Sequence, residues 1–477
     1  MHRRTVPLVL SALALLFAHP VLLSAPLGAQ VGAQVAQGEY ADRRAALYDS
    51  LDDGVIVVFG ADEQDPDYLP WLQARSFLYL TGFDEPGAAL VTVERGGNRR
   101  EMLFVREKDP AAEVWTGARL GVDAVRDRFG VEGRDATTLR AVLDSLRGGG
   151  GKLYAVGDAD RIEALGATDA GAFVNLLRGR KSEAELARLR IAAEISAHGH
   201  LEVMRAIQPG IGEFQIEALA EYTWRSAGAD GPGYASIVGS GPHATTLHYN
   251  RNDGIAQDGE VIVMDMAAAF DGYSADITRT VPANGMFSPA QRDIYALVLD
   301  AQKAAERQVR VGGPARAMSD SATALLRAGL ARLGLIESAD ARYDCGSVSQ
   351  PRQCAQLSLY YMHGLGHGIG LEVHDPDQYY TTGRIDVGSA FTIEPGVYVR
   401  SNLLEIIPDT PRNRTLKTRI AAAFTKYAGI GVRIEDDYLV TANGVERPSA
   451  AVPREIDEIE REMARPRPPR SPVRLAP

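Results

Sequence analysis

Apolar and polar positions change their period several times along this chain. Residues 41–51, ADRRAALYDSL, repeat at helical spacing. GVIVVFG, SFLYLTGF, AALVTVE and EMLFV are short apolar or alternating runs bounded by Gly, Pro and Asp, the pattern of strands. Together they predict a mixed α/β unit. The rhythm shifts at LLRGRKSEAELARLRIAAEISAHGHLEVMRAI, where Ser182 and Glu185 form a capping box ahead of a long helix. That shift places a domain boundary between 177 and 182.

Beyond it, PGIGEFQIEALAEYTWRSAG reads as a helix opened by a Pro-Gly turn. EVIVMDMAA and YSADITRTV are β-rich runs joined by FDG, a hairpin that sets Asp265 and Asp276 on paired strands. Residues 289–310 and 314–333 read as two helices. Helices followed by carboxylate-bearing strands predict an α+β fold with a curved antiparallel sheet rather than alternating βαβ units.

The first thirty residues carry His2, Arg3 and Arg4 ahead of an apolar run that ends in small residues, the layout of an export signal cleaved near Ala29 or Ala33. Pro7, His19 and Pro20 interrupt it, leaving less than the ~20 apolar residues of a spanning helix. The chain is therefore expected to be exported, periplasmic or secreted, with no membrane span after processing. The domains expected are a signal segment over 1–33, an N-terminal domain over 38–177, a catalytic domain over 182–450 and a Pro/Arg-rich disordered tail over 451–477. A net charge of −11 argues against a nucleic-acid partner, since phosphate binding relies on clustered Lys and Arg. Cys345 and Cys354 are the only cysteines; in an exported chain they could close a small disulfide ring, or remain free thiols.

The chemistry lies in the second half. Asp265 follows the apolar run VIVM, where a buried, unpaired charge would cost several kcal/mol, so its carboxylate calls for a cation. Asp276 follows across the FDG turn. MHGLGHGIGLEVHD concentrates His363, His367 and His374 among glycines that argue against a regular helix and leave room for a ligand. FTIEPGVYV and GVRIEDDYLVT bring Glu394 and Glu435 to strand ends after alternating apolar positions. Four carboxylates with one imidazole suit a pair of hard divalent cations.

These motifs, with RSFLYLTGFDEPGAALV, RKSEAELARLRIAAEIS, SIVGSGPHATTLHYN and DGYSADITRT, resemble the metallopeptidase family with the pita-bread fold, in its Xaa-Pro aminopeptidase and prolidase branch. The resemblance implies a pita-bread catalytic domain behind a smaller mixed α/β domain. It implies Asp265, Asp276, His367, Glu394 and Glu435 as ligands of two divalent ions, manganese first and cobalt or zinc as substitutes. It further implies that His248, His363 and His374 face the substrate, that Glu394 passes a proton, and that Arg433 supports the ligands from behind. A metal-bridging hydroxide would attack the bond before a proline at the second position of a peptide. Prolidase is the runner-up; a noncatalytic or creatinase-like role would require a broken ligand set. The resemblance also leaves open assembly as a homodimer or homotetramer.

Three departures stand out. Met266-Ala267 follows the first ligand in place of a small-Gly pair, the cysteine-bearing segment looks inserted, and SNLLEIIPDTPRNRTLKTRIAAAFTKY lengthens the span between Glu394 and Glu435, where it could line the pocket rim.

Overall fold

The computed structural model describes residues 35–63, 71–148, 150–347 and 349–466. The expected export signal lies outside the described residues.

The first part is built on one mixed sheet. Helix α1 (Gln37–Asp49) leads into β1 (Gly54–Phe59); α2 (Arg75–Thr81), β2 (Ala89–Arg95), β3 (Asn98–Val105), β4 (Glu132–Asp135), β5 (Lys152–Val156) and β6 (Thr168–Asp169) follow. The strand order is β4-β3-β2-β1-β5-β6. Strand β1 pairs antiparallel with β2 and parallel with β5. Its unbroken apolar run reflects a central position with both faces covered. Val55 and Val57 join Val91, Phe104 and Leu143 on one side, while Ile56 and Val58 join Leu90, Phe77 and Leu47 on the other.

SFLYLTGF is not a strand. Residues 75–81 form helix α2, because Phe77 and Leu80, three apart, both point into the core and Gly82 closes the turn at φ 66°, donating to Leu78 O at 2.8 Å. A run this short fits either period, and the terminating glycine decides it.

Helix α3 (Gly171–Arg178) ends the first part, and α4 (Glu183–Met204) opens the second with the reciprocal Ser182–Glu185 capping box in place. Helix α5 (Glu213–Ser226) follows. Strands β7 (Ile237–Ser240), β8 (Val261–Asp265) and β9 (Thr278–Pro282) form an antiparallel sheet with β8 in the middle, Asp265 lying opposite both Ile237 and Thr278. Asp276 stands two residues before β9, off the ladder.

Helices α6 (Pro289–Glu306) and α7 (Arg316–Arg332) pack so closely that a Cβ on Gly329 would lie 2.1 Å from Leu297 Cδ1. Strand β10 (Ala390–Ile393) and β11 (Gly396–Tyr398) flank Glu394; β12 (Gly431–Arg433) and β13 (Asp436–Thr441) flank Glu435. Since β10 pairs with β13 and β11 with β12, both glutamates occupy the same break between two paired ladders. Gln302 of α6 seals that break from behind, its Nε2 donating to Ile393 O, Ile434 O and Asp436 Oδ2.

Cys345 and Cys354 are joined in a disulfide, with Cα atoms 5.7 Å apart, across a hairpin of Arg342–Asp344 and Gln353–Ala355. Most of the longer segment after Glu394 forms α8 (Pro411–Tyr427), which does not reach the pocket rim. Its Asn413 holds Asp344 O in the hairpin and its Tyr427 hydroxyl donates to Asp293 of α6, so it buttresses the outside of the fold.

The expected disordered tail begins too early at 451. Helix α9 (Ile456–Met463) occupies part of it, with Ile459 fully buried and Glu462 paired to Arg205 of α4 at 2.6 Å. Charges at helical spacing around one apolar stripe make an amphipathic helix; only the proline-rich residues beyond lack that stripe. Residues 467–477 lie outside the described residues. Among the described residues, no helix is long and apolar enough to cross a membrane.

Candidate metal centre

Asp265, Asp276, His367, Glu394 and Glu435 come from four separate stretches of chain and border one cavity of about 430 Å³. His248, His363, His374 and Arg433 line the same cavity, so every site residue expected from the sequence reaches it. Donor atoms of Asp276, His367 and Glu435 lie within 4.8 Å of one another. His367 Nε2 is 3.4 Å from both Asp276 Oδ2 and Glu394 Oε1.

The imidazole's orientation is informative. His367 Nδ1 lies 3.1 Å from Gly368 O, which as an acceptor assigns the proton to Nδ1 and leaves the Nε2 lone pair facing carboxylate oxygens. That position therefore takes either a second proton, which makes the ring cationic, or a metal cation.

Electrostatics point the same way. Burial first, then the Asp276, Glu394 and Asp265 charges, push the Glu435 carboxyl well above the usual carboxylate range. Burial also raises Glu394, to about 7, against the pull of His367 and Arg433. Asp265 is raised by burial although Arg433 opposes it. For Asp276 burial is outweighed by the hydrogen bond and charge of His367, and the carboxyl is held down. Without metal, His367 is the complement of this pair: burial opposes its charge, but Asp276 raises it to about 9. A proton on His367 thus stands in for a cation. The donor set fits hard divalent ions, which oxygen-rich cages favour and which would relieve this repulsion.

Further residues, not anticipated from the sequence, hold the set in place. The Tyr234 hydroxyl lies 2.7 Å from Asp265 Oδ1 and 2.6 Å from Asp276 Oδ1. Thr278 Oγ1 donates to Glu435 Oε2 at 2.6 Å. Arg433 reaches the expected ligand set through Asp265: Nη2 binds Asp265 Oδ2 at 2.5 Å, while Nη1 donates to the Tyr398 hydroxyl at 3.0 Å. That hydroxyl lies 2.9 Å from His363 Nε2, whose Nδ1 faces Gly364 O at 2.8 Å. His363 is then a neutral ring, consistent with burial and Arg433 holding it down to about 4. His374 meets His367 edge-on with ring centroids 4.2 Å apart, and His248 is exposed at the cavity mouth. Thr278 and Tyr398 sit inside the DITRT and EPGVY segments and carried a signal in their alternation; Tyr234, in a Gly-rich stretch, carried none.

Carboxylates and an imidazole converging on one cavity define a candidate divalent-metal centre of the kind that activates water. Residues 187–442 match the metallopeptidase family M24, and the chain belongs to that family; residues 40–154 match the aminopeptidase P N-terminal domain. The chain is 33% identical to the Xaa-Pro aminopeptidase of Haemophilus influenzae over 90% of its own length and 98% of that protein, and equally identical to that of Escherichia coli. The solved structure of E. coli aminopeptidase P with the inhibitor Pro-Leu superposes with a TM-score of 0.78 at 30% identity, covering 90% of this chain and 99% of that one. Pseudomonas aeruginosa aminopeptidase PepP gives 0.76 at 33% identity, covering 90% and 98%.

Proposed function

We propose that this protein is an exported metallo-aminopeptidase that hydrolyses the bond between an N-terminal residue and a following proline, with Asp265, Asp276, His367, Glu394 and Glu435 holding two divalent ions, manganese by preference. The observation that carries the reading is the inward-facing Nε2 of His367 against two carboxylates in a cavity whose other acids are raised by burial. Bound cations would supply Lewis-acid chemistry, polarising the scissile carbonyl and making water more acidic.

The chain's own residues do the rest. Glu394, 3.7 Å from the His363 ring, is placed to take a proton from the attacking water and return it to the proline nitrogen as the C–N bond breaks. His248, His363 and His374 form the wall facing the substrate carbonyl, where hydrogen bonds from His248 and His374 to the developing oxyanion are worth most. A proline on the leaving nitrogen provides no N–H, so recognition must come from shape and from the peptide's ends. We place the domain junction at 177–182, with the N-terminal domain limiting access to those ends, and expect assembly as a dimer or tetramer.

Steady-state rates on X-Pro dipeptides against X-Pro-Y peptides test the reading. Aminopeptidase action predicts higher kcat/KM for the longer peptides; strong preference for dipeptides would make the protein a prolidase instead. Metal analysis of protein purified without added salts checks manganese, and fractionation of expressing cells checks export.

A further inference from the structure

His248 and Asn250 line the cavity but are exposed, and among the described residues neither side chain makes a hydrogen bond. Their positions are therefore set by the backbone of the loop between β7 and β8. Glu213, the first residue of α5, is fully buried and fastens that loop at both ends. Its Oε1 accepts from Ser240 N and Ser240 Oγ, each at 2.7 Å, and faces His243 Nδ1 at 3.0 Å; its Oε2 accepts from Gly254 N at 2.6 Å. Gly254 O accepts in turn from Glu213 N at 2.9 Å. His243 stacks on Tyr249, with ring centroids 4.2 Å apart and planes 24° from parallel, so the imidazole joins the buried carboxylate to the residue between His248 and Asn250.

We infer that Glu213 and His243 are positioning residues, a carboxylate–imidazole clamp that holds His248 and Asn250 at the substrate-facing edge; the inference rests on the peptidase reading of this site. Neither residue lines the cavity, and neither belongs to the expected ligand set. The physical reason is economy of order: an exposed side chain placed by a loop loses its register when the loop frays, and displacement by ~1 Å can cost roughly a hundredfold in rate.

The test uses the metal-loaded full chain and two variants. His243→Asn keeps a donor near the position of Nδ1, while His243→Leu keeps bulk and removes the donor. His243 is 41% exposed in its side chain, so both variants are expected to fold. The expected result is a ~10- to 100-fold fall in kcat/KM for His243→Leu, with metal content and melting temperature unchanged, and partial recovery in His243→Asn, which restores the bond to Glu213 but not the stack on Tyr249. Hydrogen exchange over 246–254 is expected to quicken in His243→Leu and to lie between that rate and wild type in His243→Asn. Wild-type kinetics and exchange in His243→Leu, or equal losses in both variants, would overturn the clamp. If the wild type itself cleaves no X-Pro peptide, the peptidase reading fails, and the exchange comparison still decides whether the clamp exists.

Discussion

Arg178, at the end of α3, and Asp375 meet with Nη2 to Oδ1 at 2.5 Å, both side chains almost fully buried. Asp375 follows His374 directly, and Arg178 also binds Glu372 at 2.7 Å, so one guanidinium from the end of α3 grips both sides of that histidine. Lys181 reaches the other Asp375 oxygen at 3.0 Å. The HGLGHGIGLEVHD loop lies on β10 through backbone bonds such as Ile369 N to Ala390 O at 2.9 Å and Thr392 N to His367 O at 2.8 Å, and this ion-pair cluster pins its far end beside His374.

Arg178→Ala should therefore destabilise the fold and lower activity together. Removing one partner of a buried pair typically costs ~3–5 kcal/mol; because Lys181 still neutralises Asp375, about 2–3 kcal/mol is expected here, read from denaturant unfolding. The double variant Arg178→Ala/Asp375→Asn should recover part of that loss. If it recovers none, the pair is not what pins that end of the loop.

Much of this site was legible before any coordinates. Asp265 was recognisable because a carboxylate inside VIVMDMAA must be buried, and the strand ends at Glu394 and Glu435 because alternation carries them inward. The histidine loop showed itself by its glycines. Two misreadings had a local remedy: Gly82 ends a helix at 75–81, and the charge spacing around Ile459 marks an amphipathic helix in the tail. That α8 lies behind the fold rather than at the cavity, and that Tyr234 reaches two aspartates, depends on partners far away in the chain, about which local periodicity contains no information.

Tyr234 has one hydroxyl proton between two carboxylates, and it sets the spacing of Asp265 and Asp276. Tyr234→Phe keeps the ring and removes the bridge. Loss of such an outer hydrogen bond commonly weakens metal affinity or activity by ~10- to 100-fold, so calorimetric titration of Mn2+ into the metal-free variant should show a weaker Kd in that range, with secondary structure unchanged by circular dichroism.

Glu435 is expected to invert the usual effect of a core substitution. Its carboxyl is buried among Asp276, Glu394 and Asp265, so in metal-free protein at neutral pH folding costs either its charge repulsion or the uptake of a proton, and it opposes stability. Glu435→Gln can still accept from Thr278 Oγ1. Metal-free Glu435→Gln should melt at or above the wild-type temperature, yet lose the rise that divalent metal confers on wild type, about 2.7 kcal/mol at a hundredfold excess over Kd. Paired melting curves with and without Mn2+ provide the check. A variant that melts lower without metal would show that Glu435 is already satisfied by the fold.

His200 gives the acid limb of stability. It is fully buried in α4, and its Nε2 lies 2.9 Å from the carbonyl oxygen of Met266, the residue after Asp265. Burial, then the nearby Arg279 charge, holds the imidazole down to about 4, whereas an unfolded chain returns it to ~6.5. Because the folded value is the lower one, the unfolded state takes up the proton first. The stability linked to His200 is complete above ~6.5 and drains away as pH falls toward 4, at up to ~1.4 kcal/mol per pH unit. His200→Gln keeps a donor for Met266 O but cannot titrate. In metal-free protein, where ion release cannot contribute, urea unfolding at pH 7, 6 and 5 should give a shallower pH slope for the variant than for wild type, even if the variant starts less stable at pH 7. Parallel slopes would assign the acid sensitivity to other groups that the fold holds down, His363 and Asp276 among them, and His200 would be a packing residue only.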